Sequence, residues 1–195
     1  QVDDEVNQHA HALAALGVSR GDRVALMSGN SDAFILAMYA VFRLGAIFVP
    51  LNPRAAAHEL RHLIADSGAT VLLLGPGMND VVHRFTELEP VEQQLQVLAL
   101  YDDAELPSLP ALAADHPVTA PDVEVAEDDD CMIIYTSGTT GLAKGALFDH
   151  HRLLWVGHSI ASLGMTTSDR HLHVAPMYHC AQLVLYVLGG FSVGA

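Results

Sequence analysis

The sequence predicts an α/β fold in which a mainly parallel sheet is covered by helices. Helix signals and strand signals alternate along the chain, an order that is typical of strand–helix–strand units. Glycine or proline stands near the end of several of these segments, where it stops the regular structure. The composition, 51% hydrophobic and 16% charged over 195 residues, is enough to bury a sizeable core, since typical globular chains have about 25% charged residues.

The first half of the chain holds three helix signals and three strand signals. Apolar residues recur at helical spacing up to Leu16, and Gly17 is a good helix stop. Ser31 is placed to cap the second helix, which Gly45 ends. The expected elements are a helix to residue 16, a strand at 23–28, a helix at 31–44, a strand at 46–49 that Pro50 stops, a helix at 55–66 and a strand at 69–74.

The second half begins with an expected helix at 78–89 and a strand at 95–100. Residues 102–130 differ in character, because their prolines and a closing acidic run predict a surface connection with one short helix near 109–114. The elements expected after it are a strand at 131–135, a returning strand at 146–148, and a helix at 151–163 that Asp149 is placed to cap and at whose start His150 packs. After Arg170 we expect a buried strand, a site loop and a buried helix.

The charge of the chain argues against some classes of function. It has 9 Lys and Arg against 23 Asp and Glu, a net charge of −14, and no basic cluster, which argues against nucleic-acid binding. Histidines, Pro176 and a Gly-Gly pair interrupt the apolar stretch after Arg170, so we expect no membrane span there. Because no charged-then-apolar leader is present and the thiols are limited to Cys131 and Cys180, we expect a cytoplasmic protein.

The stretch 135–145 carries the strongest chemical signal. It reads Tyr-Thr-Ser-Gly-Thr-Thr-Gly-Leu-Ala-Lys-Gly and follows a short apolar strand. Glycines let backbone N–H groups approach an anion, hydroxyls donate hydrogen bonds to phosphate oxygens, and lysine adds a mobile charge. The spacing is not that of a Walker A loop, in which Gly, Lys and Ser/Thr are adjacent. The predicted phosphate-binding residues are Thr136, Ser137, Gly138, Thr139, Thr140, Gly141 and Lys144.

This loop closely resembles the phosphate-binding signature of the adenylate-forming ligases, Ser-Gly-Thr-Thr-Gly-x-Pro-Lys-Gly. It departs from that signature at Ala143, where the family usually has a proline that would stiffen the loop. Three further blocks resemble the family. They are Gly-Asp-Arg-Val at 21–24, the block that begins at Phe34 and ends Arg-Leu-Gly-Ala-Ile-Phe-Val-Pro-Leu-Asn-Pro-Arg, and Ala-Pro-Met-Tyr-His at 175–179, which is typical of the acyl-CoA ligase branch. The chain is identified as a member of this superfamily. Both of its ends fall within expected structure, so we expect part of a longer enzyme.

The resemblance implies a fold, a reaction and a set of partners. Residues 1–195 would form part of the large N-terminal domain of such a ligase, with the rest of that domain and the C-terminal domain absent. The enzyme would be an acyl-CoA synthetase, an acid–thiol ligase that uses ATP and Mg²⁺ to convert a carboxylic acid into acyl-AMP and then transfers the acyl group to coenzyme A. Lys144 and His179 are the predicted catalytic residues, and His179 would lie beside the carboxylate and the α-phosphate. Apolar Leu183, Val184 and Leu185 favour a fatty or other apolar acid.

Other interpretations stay open at this point. The 195 residues alone are expected to be inactive, so a non-catalytic, truncated nucleotide-binding fragment is one alternative. An adenylating enzyme with a different acyl acceptor is a second, and a phosphotransferase with a similar loop is a third. Homo-oligomerisation is also left open.

Two histidine groups raise the question of a metal site. Residues 58–62 match the His-Glu-x-x-His pattern of zinc peptidases. We expect both of these histidines, His58 and His62, to face water opposite a buried apolar stripe, and we interpret the match as chance. The second group is His171, His173, His179 and Cys180. We interpret it as two structural histidines on a strand plus one functional histidine, and assign no metal ligand.

Overall fold

The computed structural model describes residues 1–81, 95–136 and 142–194. The strands in these residues are β1 (Arg23–Met27), β2 (Ile47–Leu51), β3 (Val71–Leu74), β4 (Gln96–Ala99), β5 (Asp130–Thr136) and β6 (Lys144–Asp149). They form one sheet in the order β4-β3-β1-β2-β5-β6. The first five strands are parallel, and β6 pairs with β5 in the antiparallel direction. The predicted mixed α/β architecture, built on a mainly parallel sheet, is therefore confirmed.

Helices precede, follow and connect the strands. They are α1 (Val2–Ala15), α2 (Asp32–Arg43), α3 (Ala57–Ser67), α4 (Leu109–Ala113), α5 (His150–Ala161), a π-helix (Ala181–Val187) and α6 (Leu188–Val193). The predicted caps are confirmed: Phe34 N donates to Ser31 Oγ at the start of α2, and Arg152 N donates to Asp149 Oδ1 at the start of α5. Such caps satisfy backbone N–H groups that the helix itself cannot pair.

Side chains alternate between the two faces of the sheet, and each face has its own helices. In β1, Val24 and Leu26 pack in the cluster that includes α1, α2 and α5. Ala25 and Met27 pack in the cluster that includes α3. We call these sides the α2 face and the α3 face. Because the central strands are buried on both faces, they are apolar runs and do not alternate with polar residues.

The structure corrects two details of the predicted elements. Pro50 lies inside β2 and does not stop it. Among the described residues β2 is registered with β5 only at Phe48↔Met132, so Pro50, which has no N–H to donate, lies beyond that pairing. The strand expected after Arg170 does not form, since residues 171–175 are irregular. The predicted helix at 78–89 falls largely outside the described residues.

The segment between β4 and β5 is irregular apart from α4 and lies partly against α1. Asn7 Nδ2 donates to Val118 O at 2.6 Å, and Gln8 Nε2 donates to His116 O at 3.1 Å. This segment includes the surface connection expected at 102–130. None of the helices that the described residues form has both the length and the apolar character needed to cross a membrane.

Candidate functional site

The β5–β6 hairpin brings together the two arms of the predicted phosphate loop. Thr136 ends β5, Lys144 begins β6, and the two residues are direct partners in the antiparallel ladder. The Thr136 hydroxyl lies 3.5 Å from Lys144 O. The predicted binding residues Ser137, Gly138, Thr139, Thr140 and Gly141 lie outside the described residues. The described part of the site is therefore the base of the loop, where Lys144 is the first residue of a paired strand.

Thr136 and Lys144 project on the α2 face. Strand alternation places Thr136 on the same side as Ile134 and Met132, which are buried in the core of that face. Lys144, as the cross-strand partner, shares the side of Thr136. The Lys144 side chain is exposed, and among the described residues it forms no hydrogen bond or ion pair. Its charge is therefore free to meet an anion from solvent.

Tyr135 and Gly145 project on the opposite, α3 face. They are partners in the ladder, and a Cβ placed on Gly145 would lie 3.3 Å from Tyr135 Cζ and 2.7 Å from Ile133 Cγ2. Position 145 therefore has no room for a side chain. The Tyr135 hydroxyl donates to Asp66 Oδ2 of α3 at 2.6 Å. Burial, with the Asp66 carboxylate adding to it, raises the pKa of Tyr135 above its ordinary value.

His62 of α3 reaches the other arm of the loop. Its Nε2 donates to Ala143 O at 3.0 Å, and the side chain is half-buried. The prediction that both histidines of the His-Glu-x-x-His match face water is thus wrong for His62, while His58 is exposed as expected. A helical wheel shows which side of α3 is apolar, but it does not show that a distant hairpin lies against the polar side.

The segment 173–177 is held by the loop that follows β1. Asn30 Nδ2 donates to His173 O at 3.0 Å and to Ala175 O at 2.8 Å. Met177 N donates to Asn30 Oδ1 at 2.8 Å. One buried side chain supports the segment from below, because Ala175 N donates to Gln182 Oε1 at 3.2 Å. Two side-chain amides, Asn30 from the β1 loop and the buried Gln182, therefore position the block that leads to His179.

His179 is the exposed end of this block. A backbone turn from Pro176 O to His179 N precedes it, and its ring lies against Tyr178 with centroids 4.5 Å apart. His171 and His173 do share a side, with stacked rings 6.4 Å apart. However, His173 Nδ1 is engaged by Gln182 Nε2 at 2.6 Å, which favours a structural role. Among the described residues, no group of three or more His, Cys, Asp or Glu side chains is arranged to hold a metal ion.

Topology places the described residues of the predicted site, Thr136, Lys144 and His179, at one edge of the sheet. β1 and β5 are parallel and separated only by β2, and neighbouring strands lie about 4.8 Å apart. The β1 loop that holds segment 173–177 and the end of β5 therefore share the carboxyl edge, where open α/β sheets bind ligands. Met177 packs in the core of the α2 face, the side on which Lys144 projects. The hydrogen bond from His62 Nε2 to Ala143 O, 3.0 Å long, and the Tyr135–Asp66 contact lie on the α3 face.

One recess lies away from this edge. A recess of about 700 Å³ lies between α2 and α5 and is lined by Phe42, Arg43 and His150. His150 follows the end of the antiparallel strand β6, so this recess opens towards the amino edge of the sheet. The His150 ring packs against Phe42 with centroids 5.3 Å apart, and burial lowers the pKa of His150. This agrees with the predicted packing role at the start of α5.

Sequence reasoning missed Asn30, Gln182 and Asp66. A polar residue directly after a buried strand at the carboxyl edge is a usable signal, and Asn30 fits it. Asp66 follows His62 by four residues, so the two side chains share one face of the helix. This spacing is a sequence signal that they could contact the same neighbouring element. We find no sequence signal for Gln182, whose partners lie in an irregular segment.

Comparison with known proteins agrees with the geometry. The family model described as "AMP-binding enzyme" matches residues 1–195. Feruloyl-CoA synthase of an Amycolatopsis species is 36% identical over 189 residues, which cover 96% of this chain and 35% of that protein. Long-chain-fatty-acid–CoA ligase FadD13 of Mycobacterium tuberculosis is 36% identical over 193 residues, which cover 96% of this chain and 36% of that protein. The chain thus spans about a third of the length of these relatives.

Among solved structures, the N-terminal domain of FACL13 from Mycobacterium tuberculosis superposes with a TM-score of 0.87 at 30% sequence identity. The match covers 100% of this chain and 47% of that domain. The overall fold of this chain is thus found within the N-terminal domain of a related protein. This chain belongs to the AMP-binding enzyme family of adenylate-forming ligases.

Proposed function

We propose that the protein containing this chain is an ATP-dependent acid–thiol ligase that activates a carboxylic acid as acyl-AMP and transfers the acyl group to coenzyme A. The observation that carries the proposal is the exposed Lys144 side chain at the carboxyl edge, which has no hydrogen-bond or ion-pair partner among the described residues. In the sequence it follows a hydroxyl- and glycine-rich stretch. The names of the two relatives described above, a feruloyl-CoA synthase and a long-chain-fatty-acid–CoA ligase, support the choice of acceptor.

The first step joins two anions, so neutralising charge and orienting the reactants are its main requirements. A carboxylate oxygen forms a bond to the α-phosphorus of ATP, the bond between the α-phosphorus and the bridging oxygen breaks, and pyrophosphate leaves. Lys144 supplies positive charge to the β- and γ-phosphates and to the departing pyrophosphate. The Thr136 hydroxyl lies at the same end of the hairpin and donates to a phosphate oxygen.

His179 acts from the other side of the reacting carboxylate. Its exposed imidazole donates to charge that develops at the α-phosphate and helps to orient the carboxylate. In the second step the thiol of coenzyme A attacks the acyl carbon, AMP leaves, and the thiol proton is released. Adenylation therefore replaces a poor leaving group, the carboxylate oxygen, with a good one, AMP, before the thiol attacks.

Mg²⁺ accompanies ATP in reactions of this kind and neutralises phosphate charge. It is held largely by phosphate oxygens and water, and by few protein groups. The described residues provide no carboxylate or histidine cluster at the base of the loop, and Asp66, the carboxylate near it, is engaged by Tyr135 on the far face. We therefore assign Mg²⁺ no ligand in this part of the chain.

The acid is proposed to be fatty or otherwise apolar. One sequence argument for this is weakened, since Leu183 and Val184 are fully buried in the core of the α2 face and do not line an open pocket. The support that remains comes from two relatives, which are named for feruloyl and long-chain fatty acyl groups, both largely apolar. A screen of a full-length ligase containing this chain against fatty, aryl and amino acids tests the choice.

The decisive experiment is Lys144→Ala in a full-length ligase containing this chain, with pyrophosphate release as the readout. A charge-assisted contact contributes about 1.5–3 kcal/mol, so adenylation should fall at least tenfold, whereas Lys144→Arg should retain part of it. Arg20→Ala is the control, because it removes a cation that precedes β1 at the opposite edge. Unchanged pyrophosphate release in Lys144→Ala would overturn the assignment of Lys144. Release of ADP or phosphate instead of pyrophosphate by the unmodified enzyme would replace the ligase with a phosphotransferase.

A further inference from the structure

We propose that His62 and Asp66 of α3 are positioning residues that hold the two arms of the phosphate loop from the face opposite the nucleotide. The inference rests on the proposed function, because it concerns how Thr136 and Lys144 are placed for that reaction. Neither His62 nor Asp66 contacts the substrate; each acts through a residue of the hairpin.

His62 and Asp66 hold the hairpin at two points, Ala143 and Tyr135, and we call this pair of contacts the clamp. His62 and Asp66 are four residues apart and lie one turn apart on the same side of α3. His62 Nε2 donates to Ala143 O at 3.0 Å, just before β6. The Tyr135 hydroxyl donates to Asp66 Oδ2 at 2.6 Å, near the end of β5. One helix turn therefore contacts the chain on both sides of the phosphate loop.

The end of the hairpin needs such support because backbone pairing within the sheet holds it only weakly. β6 is an edge strand, and its first four residues are exposed. In the part of the chain that is described, β5 is registered with β2 only at Phe48↔Met132, near the start of β5. The end of β5, which carries Thr136, is thus paired with β6 alone. Ile134 is buried in the core of the α2 face, and beyond it contacts from α3 tie this end of the hairpin to the body of the domain.

Ala143 makes the His62 contact more important. The resembled signature has proline at this position, and a proline ring fixes φ, whereas alanine leaves it free. The hydrogen bond from His62 restrains the carbonyl of this same residue from outside. Lys144 is the next residue and projects on the other face, so restraint at Ala143 fixes where the Lys144 side chain begins.

The test compares His62→Ala with His58→Ala in a full-length ligase containing this chain. His58 is a matched control, since it lies one turn earlier on α3 and is exposed. For His62→Ala we expect KM for ATP to rise about fivefold, the effect of one lost hydrogen bond, with KM for the carboxylic acid unchanged. His62→Gln, which keeps a side-chain N–H donor, should restore most of the affinity. His58→Ala should change neither constant.

A second variant separates positioning from simple destabilisation. If His62 replaces the restraint that proline gives, Ala143→Pro should recover ATP affinity in the His62→Ala protein and change it much less in the unmodified protein. Tyr135→Phe, which removes the other contact, should raise KM for ATP and add to the effect of His62→Ala.

The outcomes distinguish this inference from the proposed function. If the unmodified ligase forms no acyl-AMP, the proposed function fails. If it is active but His62→Ala behaves like His58→Ala, the clamp is wrong and the function stands. A parallel loss of affinity for ATP and for the acid, with a lowered melting temperature and no recovery by Ala143→Pro, would show that His62 only stabilises the fold, and would also overturn the proposal.

Discussion

Gly145→Ala is the change that tests the packing of the hairpin most directly. The added Cβ would lie 2.7 Å from Ile133 Cγ2 and 3.3 Å from Tyr135 Cζ. Carbon atoms in contact normally lie about 3.5–4.0 Å apart, so the Ile133 methyl group would have to move by about 0.8 Å. Ile133 is β-branched and therefore stiff at χ1, and it packs against the core of the α3 face. We expect a loss of about 1–3 kcal/mol in the free energy of unfolding, as for other overpacked sites.

Urea denaturation measures this loss, and Gly29→Ala is its control. A Cβ on Gly29 meets no heavy atom within 4 Å, so that variant should stay within about 0.5 kcal/mol of the unmodified protein. The clash also predicts coupling: Gly145→Ala should be less destabilising when Ile133 is already alanine. Because the clash pushes Tyr135 away from Asp66, KM for ATP should rise as well. Equal stability of Gly145→Ala and Gly29→Ala would refute the reasoning.

Three further predictions concern other parts of the chain. Burial raises the pKa of Tyr39 from 10.0 to about 12, so the folded chain keeps a proton that the unfolded chain loses. Stability should therefore fall between pH 10 and 12, by up to about 1.4 kcal/mol per pH unit, and fall less in Tyr39→Phe; identical urea curves for the two proteins at pH 11 would contradict this. Asp149→Ala removes the cap of α5 and should lower the free energy of unfolding by about 1 kcal/mol, while Asp149→Asn should retain most of it in the same urea assay. Asn30→Ala frees segment 173–177 and should lower kcat for adenylation in a pyrophosphate assay; an unchanged kcat would mean that this segment does not position His179.

Much of the fold could be predicted because its signals are local. Ser31 and Asp149 cap their helices as expected, and buried apolar runs form the parallel strands. The errors come from context that a local pattern does not contain. Pro50 reads as a strand stop, yet it lies in β2, in register with Leu26 of β1 and beyond the Phe48↔Met132 pair with β5. Residues 171–175 have the alternation of a strand but are fixed by Asn30, which lies more than a hundred positions earlier.

The site could be predicted only on the side that faces the ligand. The signature indicates hydroxyls, glycines and a lysine, whose chemistry can be named without coordinates. The supporting contacts are made by α3, and their partners are a backbone carbonyl at Ala143 and a phenol at Tyr135. Every residue has a backbone carbonyl, so the sequence does not single out Ala143. Tyr135 fits the pattern of the other apolar residues of its strand. Both contacts depend on a hairpin folding back over a helix some seventy to eighty residues earlier.

Because successive side chains of a strand point to opposite faces, the stretch 135–145 can contact α3 on one face and leave the other face for a ligand. Thr136 and Lys144 face each other across the ladder on the α2 face, where a nucleotide would be bound. Tyr135 and Gly145, one position away from each of them, face each other on the α3 face. There the missing side chain of Gly145 makes room for the tyrosine ring, and the ring reaches Asp66. Packing against α3 therefore requires the tyrosine and the last glycine of the stretch 135–145, whereas the residues beside them are proposed to bind the phosphates. A change to either pair should alter ATP binding through a different route.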